Sequence, residues 1–432
     1  MRILVTGAYG LIGAACLTRL HRDGHGLIGA GRKVDEARRR FPFAAWRVAD
    51  FDRLTTPESW TDILSGVDAV VNCVGVLQDG VRDDVQRVQL DATVALFEAC
   101  ARARVRRVIQ ISAVGAQAQA PTAFARTKAS AEERLARLDL DYAILRPALV
   151  LAPAAYGGTA LLRALAAMPG AILLSQPESR MQIVSVEDVA DAVASCLSSN
   201  AGKRVRWDIA HPQMLSLAEI VAAMRQWLGL APARIVAVPA AIGRAVARVA
   251  DLLGWLGWRA PLRTAALAQL DAGVVGDPQA WIAACGHEPM SLADILAARP
   301  ASVQERWFAR VYLVKPLAIA GLGLFWTATG LIALGPSRAA AIAVLTDRGV
   351  SPAFATAIAL GGAVIDMALG LAVAVRRFTR AALIGMLAVT GAYLLGASVL
   401  LPDLWLDPLG SLVKTLPLVL AVLFTLAILD ER

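Results

Sequence analysis

"RILVTGAYGLIGAACL", residues 2–17, decides the fold. An apolar run ending at Thr6 reads as a short strand, and Gly7, Gly10 and Gly13 follow as an amphipathic run starts at Leu11. Glycines at this spacing, directly after a strand and opening a helix, form the setting in which a turn holds a dinucleotide. Gly7 permits the tight turn, Gly10 lets the backbone approach a pyrophosphate, and Gly13 brings helix and strand together. The helix N-terminus then faces the negative charge. Tyr9, Leu11 and Ile12, on the same turn, are placed in the cofactor site with them.

Working outward, further apolar strands are predicted at 26–31, 44–50, 69–75, 105–112 and 142–150, with helices over 85–103 and 124–138. Near-continuous apolar strands alternating with helices predict a parallel sheet covered on both faces, a Rossmann-type α/β fold. Residues 151–300 are less regular. A strand runs into a helix over 181–198, and serines cap helices predicted at 216–229 and 291–300. This stretch is expected to be a smaller α/β lobe completing the cleft over the sheet formed by residues 1–150. Within it, 239–263 is amphipathic with Trp255 and Trp258 beside arginines, which suits a membrane interface as well as a plain surface or core helix.

The second strand ends in "GAGRK", where an NAD-preferring protein offers a carboxylate to the ribose hydroxyls. Arg32 and Lys33 stand there instead, with Arg38 to Arg40 following, although Asp35 is close. Cations suit a 2′-phosphate, so NADP(H) is expected over NAD(H). Asp50 and Phe51, after the third strand, are expected to bond and cover the adenine. Cys73, Val74 and Gly75, after the fourth, are expected to run their backbone along the cofactor.

Hydrophobic residues make up 57% of the 432-residue chain, against about 45–50% in a soluble domain. The excess lies at the C-terminal end, where residues 313–432 carry only 14 charged side chains. Four apolar stretches, 313–334, 353–375, 381–401 and 411–429, predict a four-helix transmembrane domain in a lipid bilayer. "RRFTR" (376–380) joins the second and third, and no basic residue lies in the junction at 402–410. The positive-inside rule then puts both termini and the soluble part on the cytoplasmic side of an inner membrane, and no cleavable leader is read at the glycine-interrupted N-terminus. Asp366, midway along the second stretch, is a functional candidate because a carboxylate at that depth is costly. The net charge of +8 is too diffuse to imply nucleic acid. Five scattered cysteines and four scattered histidines imply neither disulfides nor a metal site.

Together the glycine turn, Ser112 in "ISAVGA", Lys128, and "LRPALV" with Pro147 resemble the short-chain dehydrogenase/reductase superfamily. The likeness is to its extended or atypical branch, the NAD-dependent epimerase/dehydratase type, near the Rossmann-type accessory subunit of respiratory complex I. The C-terminal part, especially "DPLGSLVKTLP" (407–417), resembles DoxX-like membrane domains. The first resemblance implies a Ser and a Lys in the active site, here Ser112 and Lys128, and a cofactor contact at Pro147. It also implies a Tyr one helical turn before the Lys as the acid or base, its phenol tuned by the ammonium.

The chain has Phe124 at that place. A phenyl ring cannot donate a proton, which leaves two readings. One is a membrane-anchored oxidoreductase acting at or near a lipid-soluble quinone or isoprenoid, drawing its proton from water, Ser112 or Lys128. The other is a non-catalytic nucleotide-binding accessory or assembly protein of a respiratory or quinone-biosynthesis membrane complex. Only five lysines are present against 38 arginines, and two of them, Lys33 and Lys128, fall where cofactor phosphate and ribose are expected.

Overall fold

The computed structural model describes residues 1–81, 83–198, 202–408 and 410–430. The chain divides into two compact units: Met1–Leu252 with Ala260–Ala309, and Leu253–Arg259 with Arg310–Arg432.

The first unit is built on a parallel sheet. Its strands are β1 (Arg2–Thr6), β2 (Gly26–Gly31), β3 (Ala45–Val48), β4 (Ala69–Asn72), β5 (Arg107–Ile111), β6 (Tyr142–Pro147) and a seventh at Val205–Ile209. They lie in the order seventh, β6, β5, β4, β1, β2, β3, all parallel. This is a doubly wound Rossmann sheet, whose strand order reverses between β1 and β4. Apolar side chains alternate to both faces. One face packs on Cys16, Leu17 and Leu20 of the first helix and Val189 and Val193 of helix Val186–Leu197. The other packs on Leu96, Phe97 and Leu135.

The strand predicted over 142–150 is two strands. β6 stays in the sheet, and Leu149–Leu151 turns out to pair with Ile183–Ser185 in the smaller lobe. Proline at 147 has no N–H to continue the ladder, which suits the parting of the chain there. The lobe adds two further short strand pairs, Ala171–Leu174 with Arg234–Ala237 and Arg180–Met181 with Leu215–Ser216. Ser216 and Ser291 do cap helices, each in a capping box with Glu219 and Asp294. Helix Ala240–Trp255 leaves Ile242, Val246, Val249, Leu252 and Trp255 exposed.

The second unit is helical. Among the described residues three helices are long and apolar enough to cross a membrane: Val303–Leu334, Pro352–Ala374 and Thr379–Leu400, with mean hydropathies of 1.9, 2.0 and 2.0. The expected fourth span is shorter than the sequence suggested. Its helix covers only Thr415–Ala427, on the order of 20 Å at 1.5 Å per residue, because residues 411–414 form turns. The count of four full spans is therefore approximate. Glycines set the helix spacing here. A Cβ at Gly370 would lie 2.4 Å from Thr327 Oγ1, one at Gly330 2.5 Å from the Ala363 carbonyl, and one at Gly362 2.7 Å from the Tyr393 hydroxyl. Asp366 is buried, and Tyr393 donates its hydroxyl to Asp366 Oδ1 at 3.1 Å.

Candidate nucleotide site

The glycine turn has the geometry its spacing requires. Gly7 has φ +63°, and a Cβ there would meet the Cys73 carbonyl at 3.1 Å and Val74 Cγ2 at 3.2 Å. At Gly13 a Cβ would lie 2.2 Å from the Gly7 carbonyl oxygen, so any side chain would drive the helix off the strand. Gly10 is the N-cap of helix Leu11–Arg22, with no side-chain cap and no acidic residue in the first turn. The N–H groups of Leu11, Ile12 and Gly13 therefore present a helix N-terminus suited to a phosphate.

The end of β2 is shaped by Tyr9. Its hydroxyl accepts the backbone N–H of Arg32 at 3.0 Å and of Lys33 at 3.2 Å. Its ring takes the space over Gly31, where a Cβ would be 2.4 Å away. Beside it lies a cavity of about 380 Å³ lined by Arg32, Lys33 and Arg39, with Asp35 and Glu36 also on the wall. Arg32 is shared with Asp83 at 2.9 Å. Asp50 Oδ1 is buried without a hydrogen-bond partner among the described residues, so a donor such as an adenine amino group would satisfy it. Phe51 is turned into the core, its ring edge-on to Trp60 with centroids 5.0 Å apart.

Lys128 forms the other pole. Thr122 caps its helix, Ala123–Arg137, by accepting from Ala125 N at 3.2 Å. The lysine is 4% exposed, and its Nζ donates to the carbonyls of Val74 at 3.1 Å and Ile111 at 2.9 Å. Two of its three donors are thus used, and Gly75 lies alongside, its would-be Cβ 3.5 Å from Nζ. Burial lowers the Lys128 pKa to about 8, while Glu132 and Cys73 pull it upward.

The sheet register places Thr6, Asn72 and Gln110 side by side on β1, β4 and β5. Thr6 donates to Asn72 Oδ1 at 2.6 Å and Asn72 to Gln110 Oε1 at 2.7 Å, while Asn72 Oδ1 also receives Val74 N at 3.2 Å. Gln89, on a π-helical turn at Arg87–Asp91, accepts from Val76 N at 3.2 Å and donates to Thr127 at 3.0 Å. These bonds fix the loop of Cys73, Val74 and Gly75 between the glycine turn and Lys128.

Ser112 is placed differently. Its hydroxyl donates to Glu132, which is 1% exposed and one helical turn beyond Lys128. Arg146 Nε holds Glu132 at 2.9 and 3.2 Å, and Arg206 Nε approaches it at 3.2 Å. Pro147 follows Arg146, and its carbonyl accepts from Val114 N at 3.2 Å. Phe124, Lys128 and Glu132 lie at four-residue spacing on one helix face. Sequence reasoning missed Gln89, Glu132 and Arg146; a charged residue one turn past Lys128 was the available signal for Glu132. Among the described residues no cluster of His, Cys, Asp or Glu could hold a metal ion.

Comparison with known proteins agrees with this fold. Residues 7–200 match the NAD(P)H-binding family and residues 323–423 the DoxX-like family. The ceramide reductase of Caulobacter vibrioides is 27% identical over 199 residues, 45% of this chain. That match spans 60% of the relative's own length. Among solved structures, the Bordetella bronchiseptica enzyme WbmH in complex with NAD⁺ superposes with a TM-score of 0.53 at 16% identity, covering 72% of this chain and 98% of that one. A nucleoside-diphosphate-sugar epimerase from Staphylococcus aureus gives 0.54 at 18%, covering 68% and 99%. UDP-glucose 4-epimerase from Thermotoga maritima gives 0.50 at 18%, covering 73% and 100%. Likeness at this level of identity is likeness of fold. The chain therefore carries an NAD(P)-binding Rossmann domain of epimerase/dehydratase-like architecture, followed by a DoxX-like domain with membrane-length helices.

Proposed function

Given an NAD(P)-binding, oxidoreductase-like Rossmann domain fused to a DoxX-like membrane domain, we propose that this protein binds NADP(H) and reduces or oxidises a lipid-soluble substrate, of the quinone or isoprenoid class, at an inner membrane. Residues 1–150 bind the cofactor, with strand Val205–Ile209 and helix Val186–Leu197 completing and covering their sheet; the rest of 151–300 closes the cleft, and 313–432 anchor the protein with both termini and the Rossmann domain facing the cytoplasm. The observation that carries this reading is Lys128, buried beside Gly75 with one donor left for a ribose hydroxyl, in a chain with three membrane-length helices. Lys33 and Arg39 beside Arg32 support the 2′-phosphate. The name of the Caulobacter relative, ceramide reductase, also points to a lipid substrate. The exposed apolar face of helix Ala240–Trp255 suits a place in the membrane interface.

The cofactor, when bound, would supply or accept a hydride. The chain's own residues bind it. Gly7, Gly10 and Gly13 with Tyr9, Leu11 and Ile12 hold the pyrophosphate through backbone N–H groups. Asp50 takes the adenine, Phe51 supports it from the core, and Cys73, Val74, Gly75 and Pro147 border the nicotinamide half. Ser112 is a positioning residue, because its hydroxyl is engaged by Glu132. Because the third Lys128 donor is given to the ribose and the Ser112 hydroxyl to Glu132, water supplies the proton in place of the missing phenol.

Phe124 favours a second reading, a nucleotide-binding accessory or assembly protein of a respiratory or quinone-biosynthesis complex that does not turn over. Phe124→Tyr separates the two. Full-length protein in nanodiscs is loaded with NADPH and mixed with ubiquinone-1, and absorbance at 340 nm is followed. The wild type is expected to oxidise NADPH, and the variant to do so about 100-fold faster, the scale of a positioned general acid, with NADPH affinity within about twofold. Oxidation by the variant alone would establish the accessory reading.

A further inference from the structure

The smaller lobe contains a second cavity, of about 310 Å³, which none of the nucleotide-site residues lines. It lies among helices Gly157–Ala166, Leu217–Trp227 and Leu292–Ala297. Met224, Met290, Ile295 and Leu296 make its wall largely apolar, and Trp227 closes one side.

Into this space the sequence directs an arginine. Helix Gly157–Ala166 buries Thr159, Ala160, Leu162, Arg163, Ala164 and Ala166, so Arg163 occupies the core-facing side, where a hydrophobe is the ordinary choice. It is 9% exposed and lines the cavity. Its Nη2 donates to the Ala152 carbonyl at 2.7 Å, and its Cζ sits 5.2 Å from the centroid of the Trp227 ring. Trp227 is itself fixed through Nε1 by the Arg299 carbonyl at 2.7 Å. The guanidinium is therefore oriented on two sides, and most of its five N–H donors remain for a ligand.

No carboxylate pairs with Arg163 among the described residues. Glu187, on the same wall, is bound by Arg299 at 2.6 Å. Glu305 accepts from Ser302 N at 2.8 Å as part of its helix cap. Burial lowers the Arg163 pKa, against the opposing field of Glu305. A guanidinium buried in an apolar wall without a contacting counter-ion is costly unless something completes its bonding.

We propose that this cavity binds a small amphipathic anion, with a carboxylate or phosphate head on Arg163 and an aliphatic tail against Met224, Met290, Ile295 and Leu296. The volume lies at the lower end of the roughly 300–1,000 Å³ of small-molecule sites, which suits a tail of about eight carbons. The site takes a different ligand from the nucleotide and stands or falls independently of NADP(H) binding.

The test uses the full-length protein in nanodiscs with ¹³C-methyl-labelled methionine. Met224 and Met290 report on the cavity by NMR, their resonances assigned with Met224→Leu and Met290→Leu. Octanoate, octyl phosphate and octanol are titrated separately. Octanoate or octyl phosphate is expected to shift both methyl signals saturably, with octanol at least about tenfold weaker, and the tighter of the two identifies the head group. Arg163→Met is expected to weaken the anion at least about tenfold while leaving octanol and NADPH affinity unchanged. Should Arg163→Met fail to fold, Ile295→Trp keeps the arginine, fills the cavity and is expected to abolish the shifts. Equal affinity for octanoate and octanol, an anion affinity in Arg163→Met within about twofold of wild type, or the absence of saturable shifts at Met224 and Met290 would overturn the proposal.

Discussion

Lys128→Met is expected to weaken NADPH binding about 10- to 100-fold, the scale of a lost hydrogen bond to a charged group, and to remove the pH dependence of that binding above neutrality. In the wild type the ammonium gives two donors to the Val74 and Ile111 carbonyls, and the proposed site assigns the third to the ribose. Its pKa of about 8 means that this third donor is lost as pH rises through that value. NADPH affinity should therefore be flat below about pH 8 and fall above it, in the wild type alone. The stability effect has the opposite sense. Burial lowers the folded-state pKa below the roughly 10.4 of an unfolded lysine, so between about 8 and 10.4 the unfolded chain holds a proton that the folded chain has released. The slope ∂ΔG/∂pH is then positive in that window. The cost of burying the charge is present in full below about pH 8, and the wild type should gain stability relative to Lys128→Met as pH rises from 8 to 10. Isothermal titration with NADPH from pH 6 to 9.5, with melting curves at the same pH values, checks both signs. A Lys128→Met affinity equal to that of the wild type would remove Lys128 from the site.

Glu132→Ala is expected to destabilise the nucleotide-binding unit by about 3–5 kcal/mol, the cost of leaving buried cations without their partner. Glu132 collects the Ser112 hydroxyl and the guanidinium groups of Arg146 and Arg206 while almost wholly buried. Its removal leaves Arg146 with only the Ala116 carbonyl, at 3.1 Å, among these bonds. Adding Arg146→Met should restore part of the loss, since an apolar replacement removes the stranded charge as well. Pulse proteolysis in urea on the full-length protein reads both values. A loss below about 1 kcal/mol for Glu132→Ala would mean that water reaches the arginines and that the cluster is not closed.

The contrast between these two residues shows what the sequence made legible. The glycine turn was readable because its signal is local: three glycines at fixed spacing after a strand dictate one backbone path, and the close approach of Gly13 to Gly7 follows from that path. The placement of Lys128 one turn after Phe124 on one helix was readable from their spacing. Glu132 was not, because what makes a mid-helix glutamate a buried anchor is Arg146 on β6 and Arg206 on the adjacent strand, 14 and 74 residues away in a register that only the folded sheet sets. Ser112 was placed in the active site by resemblance, and its bond to Glu132 was not readable from the local sequence. Phe51 was expected over the adenine, but Trp60 offers a core partner that the local pattern did not reveal. Membrane-length runs were legible from hydropathy, whereas the shortening of the fourth helix depends on turns at 411–414 that composition does not encode.

The most direct measurement is calorimetric titration of the full-length protein, reconstituted in nanodiscs, with NADPH and separately with NADH. One saturable site is expected, with NADPH bound at least about tenfold more tightly, as one or two charge-assisted contacts to the 2′-phosphate would give. The absence of saturable binding of either nucleotide would contradict the central claim. Tighter binding of NADH would contradict the role given to Arg32, Lys33 and Arg39.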